Sequence, residues 1–112
     1  MVRVLTAARV TVDPEHIDAW LDILEVLAAR LKARGQHLWV FRAEGHADRW
    51  LEFTEGPDPV THRSTGPADD EERILEASLR ELAGYDDEST ATRWQEISLT
   101  RPGRIDGATD NR

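Results

Sequence analysis

Glu52 and His62 are the residues of this chain best suited to moving a proton, and both lie close in sequence to most of its few aromatic residues. The stretch HLWVFRAEGHADRWLEF, residues 37–53, reads as a β-hairpin. An even-numbered turn around residues 44–47 would set His37 opposite Thr54, Trp39 opposite Glu52 and Phe41 opposite Trp50, so that these rings and the carboxylate share one face. A carboxylate among rings must find a cation, stay near water or take up a proton. A partly buried one can act as general base toward a phenol or an acidic carbon. His62 is the second candidate acid or base, because imidazole titrates near neutrality. His37, Trp39, Phe41, Trp50 and Trp94 could line a pocket for a flat aromatic ligand. Each residue also has a plainer role open to it. Glu52 could pair with Arg9 or with an arginine across a dimer, His62 could be an exposed loop residue, and the rings could be a dimer interface. His37 and His46 have no companions at metal-ligand spacing and His16 is expected to face solvent from the first helical turn, so no metal site is expected. No glycine-rich phosphate loop or nucleophile elbow is present.

The elements that must hold these side chains follow from periodicity. Residues 2–12 alternate, with Val2, Val4, Ala8, Val10 and Val12 on one parity, which predicts a strand with one dry face. Asp13 offers an N-cap and Pro14 suits the first helical turn. Ile17, Trp20, Leu21, Leu24, Leu27, Ala28 and Leu31 then recur at helical spacing until Gly35. After the hairpin, residues 55–68 form a linker with three prolines and two glycines, long enough to be functional or mobile, and a short helical turn fits near Val60 to Arg63. A second helix is predicted over residues 69–83, with Ile74, Leu75, Leu79 and Leu82 toward the core, Gly84 as its stop and the acidic run DDEER as its start and a solvated face. Residues 92–100 alternate again and predict a last strand, with Ile97 and Leu99 inward and Trp94 and Glu96 outward. The order is β-α-β-β-α-β, an α+β ferredoxin-like pattern: a four-stranded antiparallel sheet with both helices on one face. Residues 1–100 form the single domain, and the polar residues 101–112 are expected to be a disordered tail. The sheet face away from the helices would be aromatic, and such patches mark interaction surfaces.

Composition narrows the partners. The 112 residues carry a formal charge of −8 and no local basic patch, which opposes binding to nucleic acid or to an anionic membrane. There is no cysteine, hence no disulfide, thiolate nucleophile or cysteine-bound zinc. With no long apolar span or signal-like region, a cytoplasmic protein is expected. A chain of this size often gains needed buried surface from a second copy, so a homodimer is expected too.

The segments RGQHLWVFR and DRWLEFTE, His62 after the third strand and the acidic ADDEER opening the second helix resemble the dimeric α/β-barrel superfamily, in which two ferredoxin-like protomers pack sheet to sheet. Within it, residues 2–99 are similar to the small antibiotic-biosynthesis-monooxygenase group, and also to the soluble C-terminal domain of some major-facilitator exporters. The haem-degrading members use an asparagine, a tryptophan and a histidine, whereas the only asparagine here is Asn111, which sets that subgroup aside. The resemblance implies oxidation of a small aromatic or polyketide-like molecule without a cofactor. Glu52 or His62 would remove a proton, and the resulting carbanion or phenolate would pass an electron to oxygen. The alternative is a non-catalytic ligand-binding or regulatory module whose aromatic face is only a dimer seam. A third expectation, an accessory domain of a transporter, would require a membrane partner.

Overall fold

The computed structural model describes residues 2–100. Strand β1 (Val4–Val12) leads through a 3-10 turn (Pro14–His16), whose Asp13 side chain accepts from Glu15 N–H, into helix α1 (Ile17–Lys32). The hairpin β2 (His37–Arg42) and β3 (Arg49–Gly56) follows, and after a second 3-10 turn (Arg63–Thr65) comes α2 (Asp70–Leu82). The chain then adds β4 (Ala83–Tyr85), α3 (Asp87–Ala91) and β5 (Trp94–Gln95). The sheet runs β2-β3-β1-β4, all antiparallel, with β5 also paired to β1. This is the ferredoxin-like α+β order expected from the pattern.

The dry parity of β1 is as expected: Val4, Ala8, Val10 and Val12 are buried. They meet Trp20, Leu24, Leu27 and Leu31 of α1 and Leu79 of α2. Leu75 and Leu82 pack at the edge of this cluster, whereas Ile74 points outward, 57% exposed. Nor is the start of α2 wholly solvated. Asp69 caps it by accepting from Glu72 N–H at 2.9 Å, and the Glu72 side chain is buried between Arg30 of α1 and Arg34 of the turn that follows it, with Arg34 donating to both carboxylate oxygens.

The hairpin differs from expectation by one residue. Ala43 N–H donates to Arg49 O at 2.9 Å, closing a loop of odd length in which Gly45 has φ 81°. His37 therefore faces Glu55, Trp39 faces Phe53, Phe41 faces Leu51 and Arg42 faces Trp50. A one-residue slip turns every side chain of a strand to the opposite face. Trp50 and Glu52 thus lie on the helix side, opposite Val10 and Ala8 of β1. His37, Trp39 and Phe41 remain on the outer side with Leu51 and Phe53.

The last strand also differs. Leu5 pairs with Trp94 and Val4 with Gln95, and Glu96 N–H reaches Arg3 O at 3.0 Å. Among the described residues the strand pairing goes no further. Ile97 and Leu99 accordingly lie exposed, 62% and 81%, rather than in the helix-facing layer. The other half of β1 is covered by β4, with Tyr85 opposite Val10. Gly84 sits inside that strand instead of merely ending the helix. The expected tail, residues 101–112, lies outside the described residues.

A close backbone approach fixes the linker. A Cβ on Gly56 would sit 2.7 Å from Gln36 Cγ, and Gln36, itself buried, donates from Nε2 to Thr61 O at 2.8 Å. Gly56→Ala should push Gln36 aside and cost about 1–3 kcal/mol in urea unfolding, the usual cost of overpacking. Combining it with Gln36→Ala should recover part of that loss, because the clash and the bond share one side chain.

Candidate active site

Glu52 is 2% exposed, and each oxygen of its carboxylate accepts from a neighbouring side chain. Tyr85, carried beneath it by β4, donates its hydroxyl proton to Glu52 Oε1 at 2.7 Å. Trp20 Nε1–H donates to the same Tyr85 oxygen at 3.0 Å. Arg63 donates to Glu52 Oε2 and, at 3.2 Å, to Thr54 Oγ1. Its remaining nitrogens form a fork to Glu76 of α2, Nε to Oε2 at 2.7 Å and Nη2 to Oε1 at 3.0 Å. The pairing of Glu52 is therefore with Arg63; Arg9 instead pairs with Asp86 at 2.8 Å.

These groups wall a cavity of about 310 Å³ between the sheet and α2, lined among others by Thr6, Ala8, Ser64, Arg80 and Thr90. That is near the small end of ligand pockets, about 300–1,000 Å³. Glu76 and Arg80 are one helical turn apart, which brings both to the same wall. The Arg80 guanidinium lies 4.9 Å over the Tyr85 ring, and among the described residues no carboxylate pairs with it.

The electrostatics follow from burial and pairing. Burial raises the Tyr85 phenol above its ordinary value, with Glu76 adding to the shift and Trp20 and Arg63 opposing it, so the phenol keeps its proton and donates. Burial works against the Arg63 charge, but the hydrogen bonds and charge of Glu76 more than offset it and its pKa is raised. A carboxylate offers about four lone-pair positions, and Tyr85 and Arg63 occupy two of those on Glu52.

His62 is fully buried rather than exposed in its loop. Nε2 lies 3.1 Å from Thr54 O, so it carries the ring proton and donates to that carbonyl. Nδ1 accepts from Ser64 N–H at 3.2 Å and faces Ser64 Oγ at 3.1 Å. Burial lowers the imidazole pKa, and Arg93 lowers it further. The unfolded chain therefore binds a proton that the folded ring refuses. This contribution to stability is complete above the unfolded value near 6.5 and is lost as pH falls through the folded pKa. Urea midpoints should drop between pH 7.5 and 5.5, and His62→Gln should flatten that part of the profile if the variant folds.

The expected ligand-binding residues do not converge. Trp50 packs edge-on against Trp20, centroids 5.2 Å apart, with Arg42 over its ring. Phe41 and Trp50 border a hollow of about 720 Å³ at one end of the sheet, with Arg9 and Arg49. Trp94 borders another, about 300 Å³, with Leu5 and Leu51. Trp39 stands beside His37 and Phe53 on the outer face, and His37 Nδ1 is 3.6 Å from Glu55. Of the two expected proton-transfer residues, Glu52 lines the cavity between the sheet and α2, and His62 reaches it through Ser64. Tyr85, Arg63, Glu76 and Arg80 were not singled out from sequence. The available signals were that Tyr85 is the sole tyrosine and that Glu76 and Arg80 flank Leu79 on a helix whose inner face was recognised.

No family model matches the chain, and no curated protein sequence matches it. Solved structures do match, and they share the antibiotic-biosynthesis-monooxygenase-like fold. One is SnoaB, a cofactor-independent oxygenase from Streptomyces nogalater, at TM-score 0.65 and 14% identity over 89% of this chain and 96% of that one. An asparagine-to-alanine variant of SnoaB matches at TM-score 0.63 and 15% identity, covering 88% and 94%. Among the described residues, no helix is long and apolar enough to cross a membrane, and no group of three or more His, Asp or Glu gathers as metal ligands.

Proposed function

We propose that this protein is a homodimeric, cofactor-independent monooxygenase-like enzyme that oxidises a small aromatic or polyketide-like molecule in the cavity between the sheet and α2. The observation that carries the proposal is Glu52, a buried carboxylate with unused lone pairs, on one cavity wall with Tyr85 and with Arg80, a cation that no carboxylate pairs with among the described residues. Glu52 takes a proton from a ring CH₂ made acidic by a carbonyl conjugated with it through the fused rings, and Arg80 steadies the enolate oxygen. The carbanion gives one electron to oxygen, and the radical pair couples to a peroxide. Glu52 returns its proton to that peroxide, and water is then eliminated. The sum is CH₂ plus O₂ giving C=O plus H₂O, so no external reductant is needed.

The test is oxygen uptake with an anthrone as substrate. The protein should accelerate quinone formation well beyond buffer, with one atom of isotopically heavy oxygen entering each product. A rate equal to buffer across anthrones and dihydroxynaphthalenes sinks the oxygenase proposal.

The alternative, a non-catalytic module, draws on the outer sheet face. Trp39, Phe41 and Trp94 are 44%, 55% and 58% exposed there beside Leu51 and Phe53. A second copy packed on this face, or a ligand held by these rings with His37, would remove them from water. Phe41→Glu should turn a dimer into a monomer in native mass spectrometry without lowering the thermal midpoint of the protomer's core. A dimer that survives Phe41→Glu places the seam elsewhere.

A further inference from the structure

His62 and Ser64 form a hydrogen-bonded pair that the oxygenase proposal does not use. Thr54 O holds the Nε2 proton, and that bond leaves the lone pair on Nδ1, 3.1 Å from Ser64 Oγ. The ring is fully buried and its pKa is lowered, so it is neutral at physiological pH and able to accept a proton. Ser64 borders the 310 Å³ cavity, and its hydroxyl has no other hydrogen-bond partner among the described residues. A base within about 2.6–3.2 Å of a hydroxyl, itself oriented by a third group, is the arrangement that activates a nucleophile. Capping of the 3-10 turn at Arg63–Thr65 accounts for the Ser64 N–H bond to Nδ1 but not for the hydroxyl. Serine, threonine, aspartate or asparagine would also cap that turn without burying an imidazole.

We infer that Ser64 is a nucleophile activated by His62, which gives the cavity an acyl-transfer activity toward small aryl esters. Ser64 Oγ attacks the ester carbonyl while its proton passes to His62 Nδ1. Arg80, on the same cavity, stabilises the oxyanion. The C–O bond to the aryl group breaks, and the phenol leaves with the proton from His62. Water, deprotonated by His62, then releases the carboxylic acid and restores Ser64. The step is independent of oxygen, so it stands or falls separately from the oxygenase proposal.

The test uses the full chain with p-nitrophenyl acetate and with a small aryl fluorophosphonate. Intact-mass spectra should show one phosphonyl group per chain, mapped to the peptide holding Ser64, and Ser64→Ala should abolish both the adduct and burst release of nitrophenol. Because the chain has no cysteine, Ser64→Cys supplies a unique thiol for a second measurement. At pH 7 it should alkylate with iodoacetamide at least about tenfold faster than Thr90→Cys on the same cavity, as expected of a thiol whose pKa a neighbouring base lowers. An adduct on another residue, no adduct at all, or equal thiol rates for the two cysteine variants would each overturn the assignment.

Discussion

Trp20→Ala is expected to lower the unfolding free energy by about 3–5 kcal/mol, the range for deleting a large aromatic residue from a core. Trp20 is fully buried where α1 crosses the sheet, and it does two jobs there. Its ring meets Trp50 edge-on and shares the buried core with Val10, Val12, Leu24 and Leu79, so alanine leaves a cavity among them. Its Nε1–H also fixes the Tyr85 hydroxyl, which in turn orients Glu52. Trp20→Phe separates the two jobs, because it keeps most of the apolar volume and removes the donor. It should cost only about 1–2 kcal/mol, yet let Tyr85 rotate and weaken any chemistry that depends on Glu52. Urea unfolding of both variants, read beside turnover, measures this directly. If Trp20→Ala loses less than about 1 kcal/mol, the helix–sheet contact is not the core described above.

How much of this was legible in the sequence depended on whether a feature was periodic or hinged on one residue. The parity of β1 and the inner stripe of α1 were readable because each repeats several times, and one ambiguous residue does not change a repeat. The hairpin had no such redundancy. Both β2 and β3 carry large apolar side chains on both parities, with Trp39 and Phe41 against Leu38 and Val40, and Trp50 against Leu51 and Phe53. Only the length of the loop at Gly45 decided the face, and that one residue moved Glu52 from the outer sheet into the cavity. Tyr85 was hidden for a related reason: a three-residue strand has no periodicity to detect, and Gly84 before it was consistent with a helix stop. His62 had no local signal of burial at all. Its environment comes from Thr54 of β3 and from Ser64 two residues on. Glu52 and His62 were thus identifiable as chemically capable side chains, but their partners were set by tertiary pairing.

Glu52→Gln should reduce the turnover number by about 10²–10⁴-fold, the usual contribution of a positioned general base. The amide keeps the shape of the side chain and can still accept from Tyr85, but it cannot take a proton from the substrate. Arg63 keeps its fork to Glu76, so the fold should survive with a loss of about 1–3 kcal/mol from the missing charge-assisted bond. Arg63→Ala is the contrasting case. It would strip the cation from the buried Glu52 and the partly buried Glu76 at once, and its effect on stability should be the larger, about 3–5 kcal/mol. Tyr85→Phe removes one donor to Glu52 while leaving the charge of Arg63 in place, so turnover should fall less than in Glu52→Gln. That ordering discriminates between base and brace. If Glu52 accepts the substrate proton, Glu52→Gln loses turnover at nearly full stability and Arg63→Ala loses both. If Glu52 only anchors Arg63 and Tyr85 beneath the sheet, turnover in all three variants should follow the folded fraction, and Glu52→Gln should be as active as the original protein once its unfolded share is subtracted.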